Sequence, residues 1–176
     1  MAQAAARVRR GARSLLVLAF VAALLGAAVY AELAHERAQA MDPLTAIDLD
    51  AVTWLDVACV ACGSPRRFEK IGGHWRMRAP FDRAADDAAV ERLLAIAHAP
   101  VRLRRARGEL DPAKLGLEPP QVVLTLDAVS IRFGATDAID GDRYVDAGGD
   151  TIALVPDRFS ARLFEPAERE APSPSR

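Results

Sequence analysis

The chain has 176 residues, 51% of them apolar and 6% aromatic, with 23 Lys and Arg against 24 Asp and Glu for a net charge of -1. At about 100 to 200 residues per domain this is one folded domain with one appendage, too short for a two-domain enzyme with a cleft between its halves. A charged fraction of 27% excludes both wholesale disorder and a protein with many membrane spans.

The charge is unevenly placed. Residues 1–13 carry four arginines and no acid, which leaves 19 basic and 24 acidic groups for the rest. From Ser14 to Ala31 run 18 uncharged residues. As a helix rising about 1.5 Å per residue they reach about 27 Å, against a hydrocarbon core of about 30 Å. Arg7, Arg9, Arg10 and Arg13 precede the stretch and Glu32 and Glu36 come after it. The positive-inside rule then keeps residues 1–13 in the cytoplasm and places the chain beyond residue 32 on the other side. The expectation is a bacterial single-pass inner-membrane protein, held in lipid by Ser14 to Ala31, with a periplasmic domain. The competing reading is a cleaved signal peptide, with Val29-Tyr30-Ala31 as a small-x-small site, although signal h-regions usually run only about 7 to 15 residues. Cys59 lies too far along for a lipid-attachment box. Residues 32–43 read as a linker whose helix formers, Glu32 to Gln39, extend the anchor helix until Asp42-Pro43 stops it.

Residues 44–165 carry the pattern of an α+β domain, a mostly antiparallel sheet with an amphipathic helix packed on it. His74-Trp75-Arg76-Met77-Arg78, Val101-Arg102-Leu103-Arg104 and Val129-Ser130-Ile131-Arg132-Phe133 alternate with the two-residue period of half-buried strands. Gly72-Gly73 and Gly148-Gly149 mark hairpin tips. Between them the period changes: Val90, Leu93, Leu94 and Ala97 recur at helical spacing, with Asp86 and Asp87 at the start and Pro100 past the end. Asp111-Pro112 opens a second, very short helix ended by Gly116, and a third starts at Asp157 and covers Phe159 to Phe164. The predicted order is three strands, helix, strand, short helix, about four strands and a short helix. Both halves read as strands followed by a helix, without self-similarity that would establish a duplication. Residues 166–176, with Pro166, Pro172 and Pro174 among charges and serines, read as a disordered tail.

Several phrases then fall in series over roughly residues 50–160. They are Trp75-Arg76-Met77-Arg78-Ala79-Pro80, Asp86 opening the helix, Leu115-Gly116-Leu117-Glu118-Pro119-Pro120, Phe133-Gly134, and Tyr144-Val145 before the Gly148-Gly149 turn. In this order they resemble the bacterial domain of unknown function 4340 family. The sequence departs from that pattern in Leu115, where an aromatic residue is more common, and in carrying Cys59 and Cys62. The resemblance implies a membrane-anchored accessory protein, some members being associated with ABC transporters of the gliding-motility type, and it supplies no catalytic residue. Trp75, Pro80, Asp86, Gly116, Leu117, Pro120, Gly134 and Tyr144 take structural roles in this reading: core, strand end, helix cap, left-handed stop.

The sharpest local chemistry is Cys59-Val60-Ala61-Cys62. In an oxidising compartment its default is a structural disulfide, with thiol exchange or bound metal as alternatives. A redox CxxC normally opens a helix; this one ends a strand and precedes Gly63-Ser64-Pro65. His74 is the one candidate for a third zinc ligand, and no fourth is near in sequence. His35, His74 and His98 have no spacing to a nucleophile, and neither Gly-Gly pair heads a phosphate loop. Asp137, Asp140, Asp142, Asp146 and Asp150 read as caps and turns, not as a calcium loop. Arg102, Arg104, Arg105 and Arg107 form a basic strip, a solvated face or a docking surface for an acidic partner or lipid headgroups. On this reading Val101 and Leu103 face the core and Arg102 and Arg104 face water. Nucleic acid is a poor partner for a net-acidic exported domain.

These observations predict a non-enzymatic binding or accessory domain with a membrane-protein partner, without a cofactor, metal or small-molecule substrate. The alternative is a thiol-disulfide exchange protein using Cys59 and Cys62; a third reading is a structural spacer.

Overall fold

The computed structural model describes residues 25–26 and 42–170. The expected cytoplasmic segment 1–13, most of the linker, and residues 171–176 lie outside the described residues. So does the expected membrane span, apart from Leu25 and Gly26, which are helical. Among the described residues no helix is long and apolar enough to cross a membrane. Residues Met41–Arg176 form one compact unit.

The alternating segments form a nine-stranded antiparallel sheet. In chain order the strands are β1 (Trp54–Cys59), β2 (Arg66–Ile71), β3 (His74–Ala79), β4 (Arg83–Ala84), β5 (Leu103–Ala106), β6 (Val122–Leu126), β7 (Val129–Thr136), β8 (Asp142–Asp146) and β9 (Thr151–Pro156), with helix α1 (Asp87–Leu94) between β4 and β5. Their spatial order is β4-β3-β2-β1-β6-β7-β8-β9-β5. Two four-stranded meanders, β1 to β4 and β6 to β9, therefore lie back to back across the β1–β6 pair, where Leu55 faces Leu126 and Cys59 faces Val122. Each meander is followed by helical turns. β5 leaves the first meander and joins the far edge of the second, pairing with β9. The two halves of the sequence pattern are thus present as topology.

Alternation decides the core, as residues two apart share a face of a strand. Leu55 and Val57, Phe68, Trp75 and Met77, Leu124 and Leu126, and Ile131 and Phe133 are all buried on one side, beneath Val90, Leu93 and Leu94 of α1. Full burial of a side chain such as Phe68 contributes about 1.5–3 kcal/mol. Asp86 caps α1, its carboxylate accepting from Ala89 N at 3.1 Å, and the helix tightens into a 3-10 turn at Ala95–His98. At the β2–β3 tip Gly72 and Gly73 have φ of 61° and 88°, a pair of left-handed conformations that side chains with a Cβ resist. Gly148 and Gly149 lie in the β8–β9 turn.

Several sequence expectations change. Asp111–Gly116 closes one helical turn, with Leu115 N–H donating to Asp111 O at 3.3 Å and Leu117 N–H to Pro112 O at 2.9 Å, too little to propagate. The third helix is two 3-10 turns, Asp157–Phe159 and Ala161–Phe164. The start of the expected disordered tail packs against the domain: Ala167–Glu170 is a further 3-10 turn with Ala167 and Glu170 buried. Val101 is buried as expected, but Leu103 is 46% exposed. The chain bends at Arg102, which breaks the two-residue period, so Leu103 pairs with Leu154 and Arg105 with Ile152 on the face away from the core. Arg104 is turned to the opposite side, where its guanidinium donates to Pro43 O at 2.9 Å.

Candidate functional site

Cys59 is the last residue of β1, and the chain turns directly after it: Val60 N–H donates to Gln121 O at 3.0 Å and Cys62 N–H to Cys59 O at 3.4 Å. Cys59 and Cys62 form a disulfide with their Cα atoms 5.2 Å apart. The pair sits in a turn and not at a helix start, so no helix dipole acts on either sulfur. The bridged turn pushes Val60 outward to 80% exposure.

Three depressions surround this turn. One, about 290 Å³, is lined by Ala58, Val60, Pro65, Pro119 and Val123. A second, about 340 Å³, is lined by Val60, Ala61, Pro120, Gln121 and Phe164. The third, about 340 Å³, contains both cysteines, Arg66 and Phe81 on one side and Glu165 to Glu168 on the other. Neither 58–65 nor 119–123 contains an ionisable side chain other than the bridged cysteines, so the first two depressions form one uncharged, mostly apolar rim.

Two buried arginines hold the surroundings in place. Arg143, on the core face of β8, donates to Gly134 O at 2.6 Å, Gln121 Oε1 at 2.9 Å, Asp157 Oδ1 at 2.7 Å and Ser160 Oγ at 2.9 Å. Its guanidinium also lies 4.6 Å from the ring centre of Phe164, which fixes that wall of the rim. Burial pushes the Asp157 carboxyl up, but its bonds from Arg143 and Ser160 outweigh that and hold it below the usual carboxylate range. Arg66, on the face of β2 that carries Phe68, donates to Glu170 Oε1 at 2.9 Å and to the carbonyls of Arg162 and Leu163 at 3.2 and 2.7 Å. Burial pushes the Glu170 carboxyl above its ordinary value in spite of Arg66. Neither arginine is legible as a site residue in sequence, since Arg66 and Glu170 lie 104 positions apart.

The basic strip is divided. Arg102 lies 3.6 Å from Asp142, Arg104 is tied to Pro43, and Arg107 pairs with Asp146 and donates to Gly149 O at 3.1 Å. Of the four, Arg105 alone has no side-chain hydrogen bond or ion pair among the described residues. Asp146 also accepts from Arg132 Nη2 at 2.6 Å and from Gly148 N–H at 2.9 Å. Its burial pushes its carboxyl up, but the Arg107 bond, the Gly148 N–H and the two positive charges together hold it below the usual range.

The other singled-out residues have packing roles. Trp75 is core, and Pro80 lines the disulfide cleft. The Leu115-Gly116-Leu117 segment lies on β7 where its ladder with β8 breaks register, so Ala135 N–H donates to Leu115 O at 2.8 Å. A Cβ on Gly134 would fall 2.2 Å from Leu115 O and 3.0 Å from Leu117 Cγ, which explains the pairing of the two phrases. Pro120 forms part of the apolar rim, and Tyr144 Oη donates to Asp137 Oδ1 at 3.1 Å. Asp137 also caps its own turn through the N–H groups of Ile139 and Asp140. His74 Nδ1 lies 2.7 Å from Asp87 Oδ2 and His98 Nε2 lies 2.7 Å from Ile47 O; His35 is outside the described residues. Among the described residues no group of three His, Cys, Asp or Glu is placed to hold a metal.

No family model matches the chain, and neither a curated protein nor a solved structure matches it.

Proposed function

We propose that the chain is a membrane-anchored binding protein, a relative of the domain of unknown function 4340 family, whose periplasmic domain docks on the exposed part of an integral membrane protein, as an accessory subunit of a transport or envelope complex. The observation that carries the reading is the uncharged rim around the bridged turn. In a chain with 27% charged residues, the positions 58–65 and 119–123 at one end of the β1–β6 pair bear no free charge, and Val60 at their centre is among the most exposed apolar side chains. Such a surface fits an apolar, uncharged loop. The arginine-flanked stretch Ser14 to Ala31 supports the same reading, because a tether confines the domain to the membrane plane and raises the effective concentration of a membrane partner.

A photo-crosslinking residue at Val60 in native membranes is expected to capture a discrete, carbonate-resistant protein. The same residue at Ile139, which is 89% exposed and remote in sequence, is expected to capture none. Introducing Ala61→Glu should abolish the Val60 adduct without lowering the melting temperature. Equal capture at both positions, or an adduct indifferent to Ala61→Glu, overturns the reading. Alkaline phosphatase fused after Met41 should be active; an inactive fusion overturns the topology.

A further inference from the structure

The cleft beside the disulfide has walls of different origin. One is the end of β1 and the start of β2, with Cys59, Cys62 and Arg66; the other is the stretch Glu165 to Glu168. Among the described residues that second wall is fastened at few points. At its far end Glu170, 1% exposed, accepts from Arg66 Nη1 at 2.9 Å, and the Glu170 carbonyl accepts from Asp86 N–H at 2.9 Å. At its near end the same guanidinium donates to the carbonyls of Arg162 and Leu163. One arginine thus holds both ends of the span, and between them Ala167 is buried with Cys59 and Leu163 in the core. Among the described residues the second carboxylate oxygen of Glu170 is buried with no partner, so the clamp carries a charge whose lost hydration is only partly replaced there. β1, in contrast, is laddered on both sides by β2 and β6.

A segment held by few contacts around an under-bonded buried charge opens at lower free energy than a doubly laddered strand. We propose that Glu165–Glu170 is a strap that walls one side of the cleft holding the Cys59–Cys62 disulfide and is clamped by Arg66 on Glu170, and that opening of this strap governs how fast thiols reach the disulfide. The proposal is independent of the apolar rim and of any partner.

The test uses the full chain in detergent micelles with dithiothreitol as probe. One thiolate of the reagent attacks a cysteine sulfur and expels the other as a thiolate. The reagent's second thiolate then closes its ring and releases the first, so two electrons pass to Cys59 and Cys62 and the reagent is oxidised. Thiols are trapped by alkylation and counted by mass. In the unaltered protein, the amides of Asp86 and Arg169, which donate to Glu170 O and Pro166 O, should exchange with deuterium at least tenfold faster than those of Val57 and Leu124. Glu170→Gln, which removes the charge that Arg66 clamps, should speed reduction severalfold with the exchange of Val57 and Leu124 unchanged. Exchange of strap and sheet amides at one common rate overturns the proposal, and needs no variant to be seen. So does reduction of Glu170→Gln at the unaltered rate, or acceleration matched by equal acceleration in the sheet.

Discussion

Gly134→Ala separates packing from propensity, because the two give opposite signs. Gly134 lies inside β7 and its φ is not in the left-handed region. Strand preference and unfolded-chain entropy alone therefore favour alanine by about 0.4–1 kcal/mol. The added Cβ, however, would stand 2.2 Å from Leu115 O and 3.0 and 3.1 Å from Leu117 Cγ and Cδ2. The nearest of these is a backbone atom, so relief requires the Leu115–Leu117 segment to move by about an ångström, and overpacking of this kind costs about 1–3 kcal/mol. The ceiling is set by letting the segment go. Leu117 is 1% exposed, and its release gives up about 1.5–3 kcal/mol of burial, together with about 1 kcal/mol for the bond from Ala135 N–H to Leu115 O. Offset by the preference for alanine, the overpacking leaves a net destabilisation of up to about 2.5 kcal/mol, expected from urea unfolding of the full chain in mild detergent. A stabilising Gly134→Ala refutes the packing account of the Leu115–Pro120 and Phe133-Gly134 phrases.

Leu103→Ala should cost under about 1 kcal/mol, since its side chain is half exposed, whereas Met77→Ala at a fully buried site should cost about 2–5 kcal/mol; equal costs in the same unfolding assay would place Leu103 back in the core. Asp146 and Asp157 are held below the ordinary carboxylate range, so the native state binds fewer protons than the unfolded chain as these groups titrate. Their contribution is present above the ordinary range and is lost as pH falls through it towards the lowered values. Asp146→Asn should flatten the acid limb of the stability profile, and an unchanged limb refutes the role given to the Arg107 and Arg132 pair. Glu170 is shifted the other way: stability falls as pH rises from the ordinary glutamate range to its raised value, and Glu170→Gln should remove that slope.

The parts of the fold legible in sequence are those fixed by local periodicity. Trp75 and Met77 on one side of a strand, Val90, Leu93 and Leu94 on one side of a helix, and Gly72-Gly73 at a tip each need only neighbours within a few residues. The position of Leu103 shows where that reasoning stops. Alternation holds only while the chain stays straight, and one bend at Arg102 turns Leu103 out to solvent while Arg104 stays exposed as expected. The arginine strip reads as a uniform row for the same reason, although Arg102, Arg104 and Arg107 find separate partners and Arg105 has none among the described residues. Glu170 is hidden in sequence because its surroundings, Pro166 and a run of charges, look like a tail; its burial depends on Arg66, which reads as one more charge at the start of a strand. The disulfide turn is visible as a CxxC, but its apolar rim is completed by Pro119 and Pro120 from the other half of the chain.

The placement of that rim comes from how the halves interlock. β1 and β6 open the two meanders and pair with one another, so the end of β1 and the start of β6 meet, bringing Cys59 beside Val122. The segment after each meander then packs on the other meander. β5 completes the edge beside β9, while the turns after β9 return to Arg66 on β2 and to Asp86 at the cap of α1. Neither half can therefore leave without exposing the other's core, which ties the sheet into one cooperative unit. The stretch Glu165–Glu170 follows these turns and, among the described residues, has no strand partner of its own. It can detach while both meanders stay paired, and it is also the stretch that walls the disulfide cleft.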